Sequence, residues 1–253
     1  MCGRNCLICQ SKSLSARAML RTGPQPGRFL CIANVQQKLV TVSLAIIAAL
    51  ATLGCKARVP AITSDFADDF ERAEPGPDWL DTSGGAYRIA GGKLNVTRAY
   101  NHPLWLRRKL PRDVVIEFDV TSKSPAGDIK VELFGDGESF DPDKGRYDPT
   151  SYVIVLGGWN NSSSIIGRLG EHDDAVKAAR ARDPGQPPPV ELGRSYHFTI
   201  TRQGEMIDWR LDGAPFLAWT DPSPLAGAGH EFFAFNDWEA DVHFDSLRIR
   251  PAN

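Results

Sequence analysis

The chain has 253 residues, enough for one large domain or two small ones, with 29 Lys and Arg against 31 Asp and Glu. Every acid lies at or after Asp65, and the first 55 residues hold six basic residues and no acid, which leaves the remainder at a net charge of −8, 23 basic against 31 acidic. That balance excludes the clustered positive charge needed to neutralise nucleic-acid phosphates, so no nucleic-acid partner is expected. The five cysteines divide the same way: Cys2, Cys6, Cys9, Cys31 and Cys55 all precede residue 56. The rest of the chain therefore has no disulfide and no thiolate chemistry, and must draw its stability from a packed core.

In chain order, residues 1–34 are too long and wrongly patterned for a signal peptide, and suggest a misassigned start with translation beginning near Val35. Residues 39–54, LVTVSLAIIAALATLG, are uncharged and mostly apolar. Sixteen residues fall short of the ~20 that a bilayer span needs, so the run reads as a signal-peptide core behind Lys38. It ends in Thr52-Leu53-Gly54-Cys55, which resembles the lipobox of bacterial lipoproteins, with Gly54 and Cys55 in their proper places and Thr52 and Leu53 departing from the pattern. The resemblance implies lipidation at Cys55 and anchoring in the bilayer at the cell envelope, at the outer membrane or in the periplasm. Cys2, Cys6 and Cys9 resemble the cluster-binding triplet of radical SAM enzymes, but no alternation of strands and helices follows to hold such a cluster.

A short linker, residues 56–64, leads into a β-rich region over 65–251. Val114, Ile116, Phe118 and Val120 alternate with Val115, Glu117, Asp119 and Thr121, a strand with one apolar face. The same period predicts strands around Tyr196–Thr201 and Met206–Leu211. The run 151–158 is apolar on both faces, as a strand between two layers is. Further strands are expected at about 66–70, 86–90, 93–98, 103–109, 128–134, 163–169, 215–219, 230–236 and 241–250. Asp212-Gly213 between two strands signals a tight hairpin. Asp173–Arg182 is the one expected helix, followed by a Pro-rich loop at 183–189. Many short strands with regular turns predict an all-β sandwich or barrel.

The opening Asp68-Asp69-Phe70, Trp79 and Tyr87-Arg-Ile-Ala-Gly-Gly-Lys-Leu94, and the close Trp209-Arg-Leu-Asp-Gly-Ala-Pro-Phe216, Asp221–Leu225, Phe232–Phe235 and Val242–Ile249, resemble the concanavalin A-like superfamily. That group includes laminin-G-like and lectin domains and the domain called 3-keto-disaccharide hydrolase. The resemblance implies a jelly-roll β-sandwich of two antiparallel sheets, and either carbohydrate binding, a glycoside-acting enzyme or a non-catalytic envelope protein.

The jelly-roll glucanases carry three carboxylates on one strand face. Here Glu117 and Asp119 occupy two such positions and the third is absent, so the strand reads as a polar outer face. Glu117, Asp119 and His172 are the candidate acid/base residues. Asp141, Asp143 and Asp148 concentrate oxygens near Asp136 and Glu138 without following a calcium-loop spacing, so no cofactor is expected and Ca²⁺ is the one ion they suggest. Sugars present an apolar C–H face and a rim of hydroxyls, which a Trp or Tyr beside amides matches. On that ground Asn101, His102, Trp105, Trp159, Asn160, Arg168, Asn236 and Trp238 are the expected glycan-contacting residues, with Tyr100 beside them.

Overall fold

The computed structural model describes residues 59–140 and 147–252. These form a two-layer all-β sandwich with fifteen strands: β1 (Phe66–Asp68), β2 (Trp79–Asp81), β3 (Tyr87–Ala90), β4 (Lys93–Thr97), β5 (Leu104–Leu106), β6 (Val114–Ser122), β7 (Ile129–Gly135), β8 (Tyr152–Gly157), β9 (Ser163–Arg168), β10 (Val176–Ala181), β11 (Ser195–Gln203), β12 (Met206–Leu211), β13 (Ala214–Thr220), β14 (Phe232–Asn236) and β15 (Asp241–Pro251). One sheet runs β13-β12-β11-β6-β15-β4-β3, with β1 pairing the second half of β15. The other runs β10-β9-β8-β7-β14-β5-β2. Every pair of these strands is antiparallel, and non-consecutive neighbours such as β6 beside β11 and β15, and β7 beside β14, make the sandwich a jelly roll.

Period-two alternation places the core. Phe118 and Phe244 come from the eight-stranded sheet and Phe233 and Phe235 from the seven-stranded one. Their rings interlock, at 5.7 Å for Phe118–Phe235 and 4.3 Å for Phe235–Phe244. All four are fully buried. Such a cluster contributes through area removed from water and through ring-edge geometry.

The opening motif is a latch. Buried Asp68 accepts both guanidinium nitrogens of Arg72 at 2.5 and 2.7 Å, the Trp79 indole N–H at 2.9 Å and the Phe70 amide at 3.0 Å. Burial alone would raise the Asp68 carboxyl, but the Arg72 and Trp79 bonds outweigh it and hold the group below the usual carboxylate range. Trp79 then stacks on Phe235 at 5.5 Å. At the other end of the fold, the Asp212-Gly213 hairpin forms with both residues at positive φ, 51° and 78°, as a two-residue turn demands.

The helix expected over Asp173–Arg182 is a correction. Only Asp173–Ala175 makes a single 3₁₀ turn, and Val176–Ala181 is the edge strand β10 on β9. The Ala, Lys and Arg content favours helix locally, but pairing to β9 and half-burial of Val176 and Ala178 prevail. Between β8 and β9 the short segment Gly158–Asn161 makes a tight turn whose backbone is left-handed at Trp159 and Asn160.

Candidate functional site

The seven-stranded sheet has two unlike faces. Val131, Leu133, Ile154, Leu156 and Phe235 point into the core. The opposite face carries Val153, Val155 and Ile165 as a small apolar cluster, beside Lys130, Glu132, Ala234 and Asn236. Loops cover this outer face closely enough to bury even its charged groups: Lys130 is 2 % exposed and Glu132 1 %.

Burial forces each of these polar groups to find partners. Glu132 accepts bonds from Ser151 Oγ at 2.5 Å, Asn236 Nδ2 at 2.6 Å and the Tyr147 hydroxyl. Burial still dominates and holds its carboxyl above the usual range. Lys130 Nζ donates to Asn101 Oδ1 at 2.6 Å and lies 2.9 Å from Glu171 Oε2. Burial works against its ammonium, but the carboxylates of Asp128 and Glu171 prevail and keep it charged. Beside them Asp237, fully enclosed and close to Asp128, is pushed up to about 8 by burial and by that neighbouring charge.

Above this network opens a cleft of about 1110 Å³, lined by loops from four parts of the chain, Tyr100–His102, Phe140 with Tyr147–Pro149, Leu169–Asp173 and Trp238–Ala240, and by the β8–β9 turn. Tyr100, Trp159 and Trp238 stand 40–46 % exposed at its edge, large aromatic faces left open to solvent. Tyr100 meets Trp238 edge to face at 5.2 Å, and Trp159 meets His172 at 5.6 Å. Trp238 is tied to the floor by its amide, which donates to Asp128 Oδ2 at 2.9 Å. His102 holds Ala99 O at 3.2 Å through Nδ1, and burial lowers its pKa, against the pull of Asp81, keeping the ring neutral at pH 7.

The turn that presents Trp159 is left-handed. Trp159, Asn160 and Asn161 all have φ between 51° and 59°, and Ser162 N closes the turn on Gly158 O at 3.0 Å. Left-handed conformation costs an L-residue roughly 1–2 kcal/mol, so three in succession need support. Asn161 supplies it: its Nδ2 donates to Val190 O at 2.6 Å and Pro125 O at 3.2 Å, and its Oδ1 accepts Val190 N at 2.9 Å. Gly127 lets the neighbouring chain come close, since a Cβ there would sit 2.4 Å from Gly157 O.

Of the residues expected from sequence, the cleft brings together Asn101, His102, Trp159, Asn160, His172 and Trp238, with Asp148 also on its wall. Three others lie elsewhere. Trp105 is 1 % exposed, its ring packed where Gly135 has no side chain. Arg168 turns to Asp221 at 2.9 Å and to Ser223 O. Asn236 lies beneath the floor as a donor to Glu132. Glu117 and Asp119 belong to the other sheet: Glu117 faces Arg250 at 3.7 Å and Asp119 contacts His197 Nδ1 at 2.7 Å. The single strand period that makes one face of β6 core makes these two its solvent face, so neither reaches the cleft. Asp141, Asp143 and Cys55 fall outside the described residues. Asp136, their neighbour, uses Oδ1 to accept the Glu138 and Ser139 amides in a turn. No group of three or more His, Cys, Asp or Glu among the described residues is arranged to hold a metal.

The residues sequence reading missed are Asp128, Lys130, Glu132, Tyr147, Glu171 and Asp237. Lys130 and Glu132 alternate with Ile129, Val131 and Leu133, beside a strand apolar on both faces. Two charges against such a strand were the available signal that the second face is covered.

A second hollow, about 560 Å³, lies at β1 beside Arg72 and Asp78. Its central pair, Asp68 and Arg72, is already joined, so that hollow belongs to the latch.

A family profile described as farnesoic acid O-methyl transferase matches residues 138–246, the stretch from the β7–β8 connection into β15 and less than half of the chain. No curated protein sequence matches. Solved structures match in fold. A protein of unknown function with a galectin-like fold from Bacillus subtilis is 15 % identical, over 75 % of this chain and 97 % of that one, at a TM-score of 0.58. The Emp47p carbohydrate recognition domain is 10 % identical, over 79 % and 100 %, at 0.54. A laminarinase from Flavobacterium sp. UMI-01 is 9 % identical, over 73 % and 98 %, at 0.51. The fold is thus the concanavalin A-like jelly roll.

Proposed function

We propose that this domain binds a glycan in the cleft over its seven-stranded sheet. The observation that carries the reading is the group Tyr100, Trp159 and Trp238, three exposed aromatic faces at the edge of one cleft whose walls hold the amides Asn101 and Asn160. Aromatic planes stack on the apolar face of a sugar ring while amides and carboxylates take its hydroxyls. A carbohydrate recognition domain and a laminarinase among the structural neighbours are in keeping with this, though at such identities they bear on fold alone.

Binding is favoured over hydrolysis because the candidate carboxylate pair of β6 lies on the other sheet, and the carboxyls whose pKa values burial raises, Glu132 and Asp237, do not line the cleft. The likeness to keto-disaccharide hydrolases remains a resemblance of sequence motifs. From the leader sequence alone we also propose export and lipidation at Cys55, which would hold the domain at the cell envelope, where glycans are abundant.

The test is a panel of soluble oligosaccharides titrated calorimetrically into the domain. A ligand from the panel should lose about tenfold or more in affinity with Trp159→Ala and with Trp238→Ala, each worth roughly the stacking of one sugar ring. Binding that both variants leave unchanged places the glycan elsewhere, and no binding across the panel removes the reading.

A further inference from the structure

We propose that the cleft selects sugars bearing a free amine over neutral sugars, and neutral sugars over those bearing carboxylates. The inference rests on the reading of the cleft as a glycan site and adds the charge of its ligand.

Two independent features of the wall point the same way. The first is the sum of charge. Lys130 is enclosed and already engaged by Glu171 and Asn101, so that pair presents no net charge. His102 is neutral at pH 7. Asp128, Asp173 and Glu239 then remain, with no lysine or arginine other than Lys130 among the described lining residues to offset them. Asp148, on the same wall, makes interactions of its own and is not counted. His172, 3.6 Å from Glu171 Oε1 and largely exposed, can add no more than one positive charge to this wall. A cleft of one sign concentrates counter-charged ligands and repels those of like charge.

The second feature is the aromatic faces themselves. Trp159 and Trp238 present π-surfaces of negative quadrupole, which attract an ammonium as well as C–H groups. Among the described lining residues a uronate finds neither an arginine fork nor a free ammonium, the two groups that recognise carboxylates. A glucosamine-type residue finds both a carboxylate and an aromatic plane.

Three tetrasaccharides of matched linkage separate the possibilities: one of glucosamine, one of N-acetylglucosamine and one of a hexuronate, each titrated at about 20 mM and about 500 mM salt, where screening differs severalfold. The expected order of affinity is amine, then N-acetyl, then uronate, with at least about tenfold between first and last in low salt and a narrower gap in high salt. Asp173→Asn with Glu239→Gln should narrow the low-salt ratio by about half or more. Uronate binding as tight as the amine, or a ratio the double variant does not move, overturns the proposal while leaving the glycan site standing. No binding of any of the three, in a protein that binds no other sugar, removes both.

Discussion

Trp159 stands out of the surface because of Asn161, a residue that does not line the cleft. Asn161 is 3 % exposed, sits at φ 59° and uses its whole amide on Val190 and Pro125. Asparagine tolerates the left-handed region better than most residues, and its amide pins the turn to the segment that follows the Pro-rich stretch. Asn161→Ala leaves a buried amide and carbonyl of Val190 unmet, at about 1–3 kcal/mol for each such loss, and frees Trp159 to relax. Asn161→Gly keeps the conformation but not the anchor. Both variants should weaken glycan affinity, and chemical denaturation should show both destabilised, the alanine more than the glycine. Equal affinity to the wild type in a folded Asn161→Ala would detach the turn from binding.

Asp237 gives a residue-scale test that needs no ligand. Burial and the charge of Asp128 push its folded pKa up to about 8, above the 3.8 of a free aspartate, so the folded state retains a proton that the unfolded chain has released. The stability this contributes is full below about pH 4 and is lost as pH rises through about 8. Asp237→Asn mimics the protonated form. Its thermal midpoint should therefore fall less than that of the wild type between about pH 5 and about pH 9. Parallel pH profiles would show that Asp237 ionises without cost in the folded state.

At the scale of elements, the latch at β1 and β2 is the part on which the sandwich edge depends. Removing Asp68 leaves the buried Trp79 indole N–H without its acceptor, while the partly exposed Arg72 keeps the carbonyls of Glu74 and Pro75. An unmet buried donor costs about 1–3 kcal/mol, so Asp68→Ala should lower stability by that order, measured by urea unfolding. With its pKa held low, Asp68 contributes stability that is present above the unfolded carboxylate pKa and lost as pH falls through the folded one, so the gap between wild type and variant should close in acid. The same motif explains what was legible in the sequence. Asp68-Asp69-Phe70 and Trp79 read as a jelly-roll opening because the side chains that make the latch are local and specific, and β6, β11, β12 and β15 read as strands because their alternation is long. β2 was not legible, since Trp79-Leu80-Asp81 is three residues and too short to show a period. β10 was read as helix because an edge strand with one neighbour leaves most of its composition to solvent, and the residues solvent permits here favour helix. In the site, Trp159 and Trp238 were legible as aromatics amid polar turn residues. Trp105 lies instead between Leu104 and Leu106, and only the space left by Gly135 shows which side its ring takes. Of the Lys130 and Glu132 network the sequence offers only the two charges set against an apolar strand, because the residues that bury them come from loops far away in the chain.

The whole molecule divides its work between two sheets. The eight-stranded sheet turns an ordinary charged face outward, with Glu117, Asp119 and His197 paired among themselves and their neighbours. The seven-stranded sheet carries the buried Lys130 and Glu132 and lies under the cleft. The account assigns ligand binding to the second alone. Its most direct test is a nuclear magnetic resonance titration of the six tryptophan indole N–H signals with the tightest oligosaccharide found. Trp159 and Trp238 should shift while the buried indoles of Trp79, Trp105 and Trp209 stay in place. Shifts confined to backbone amides around Glu117, Asp119 and His197, with both exposed indoles unmoved, would put the ligand on the wrong sheet and contradict the account.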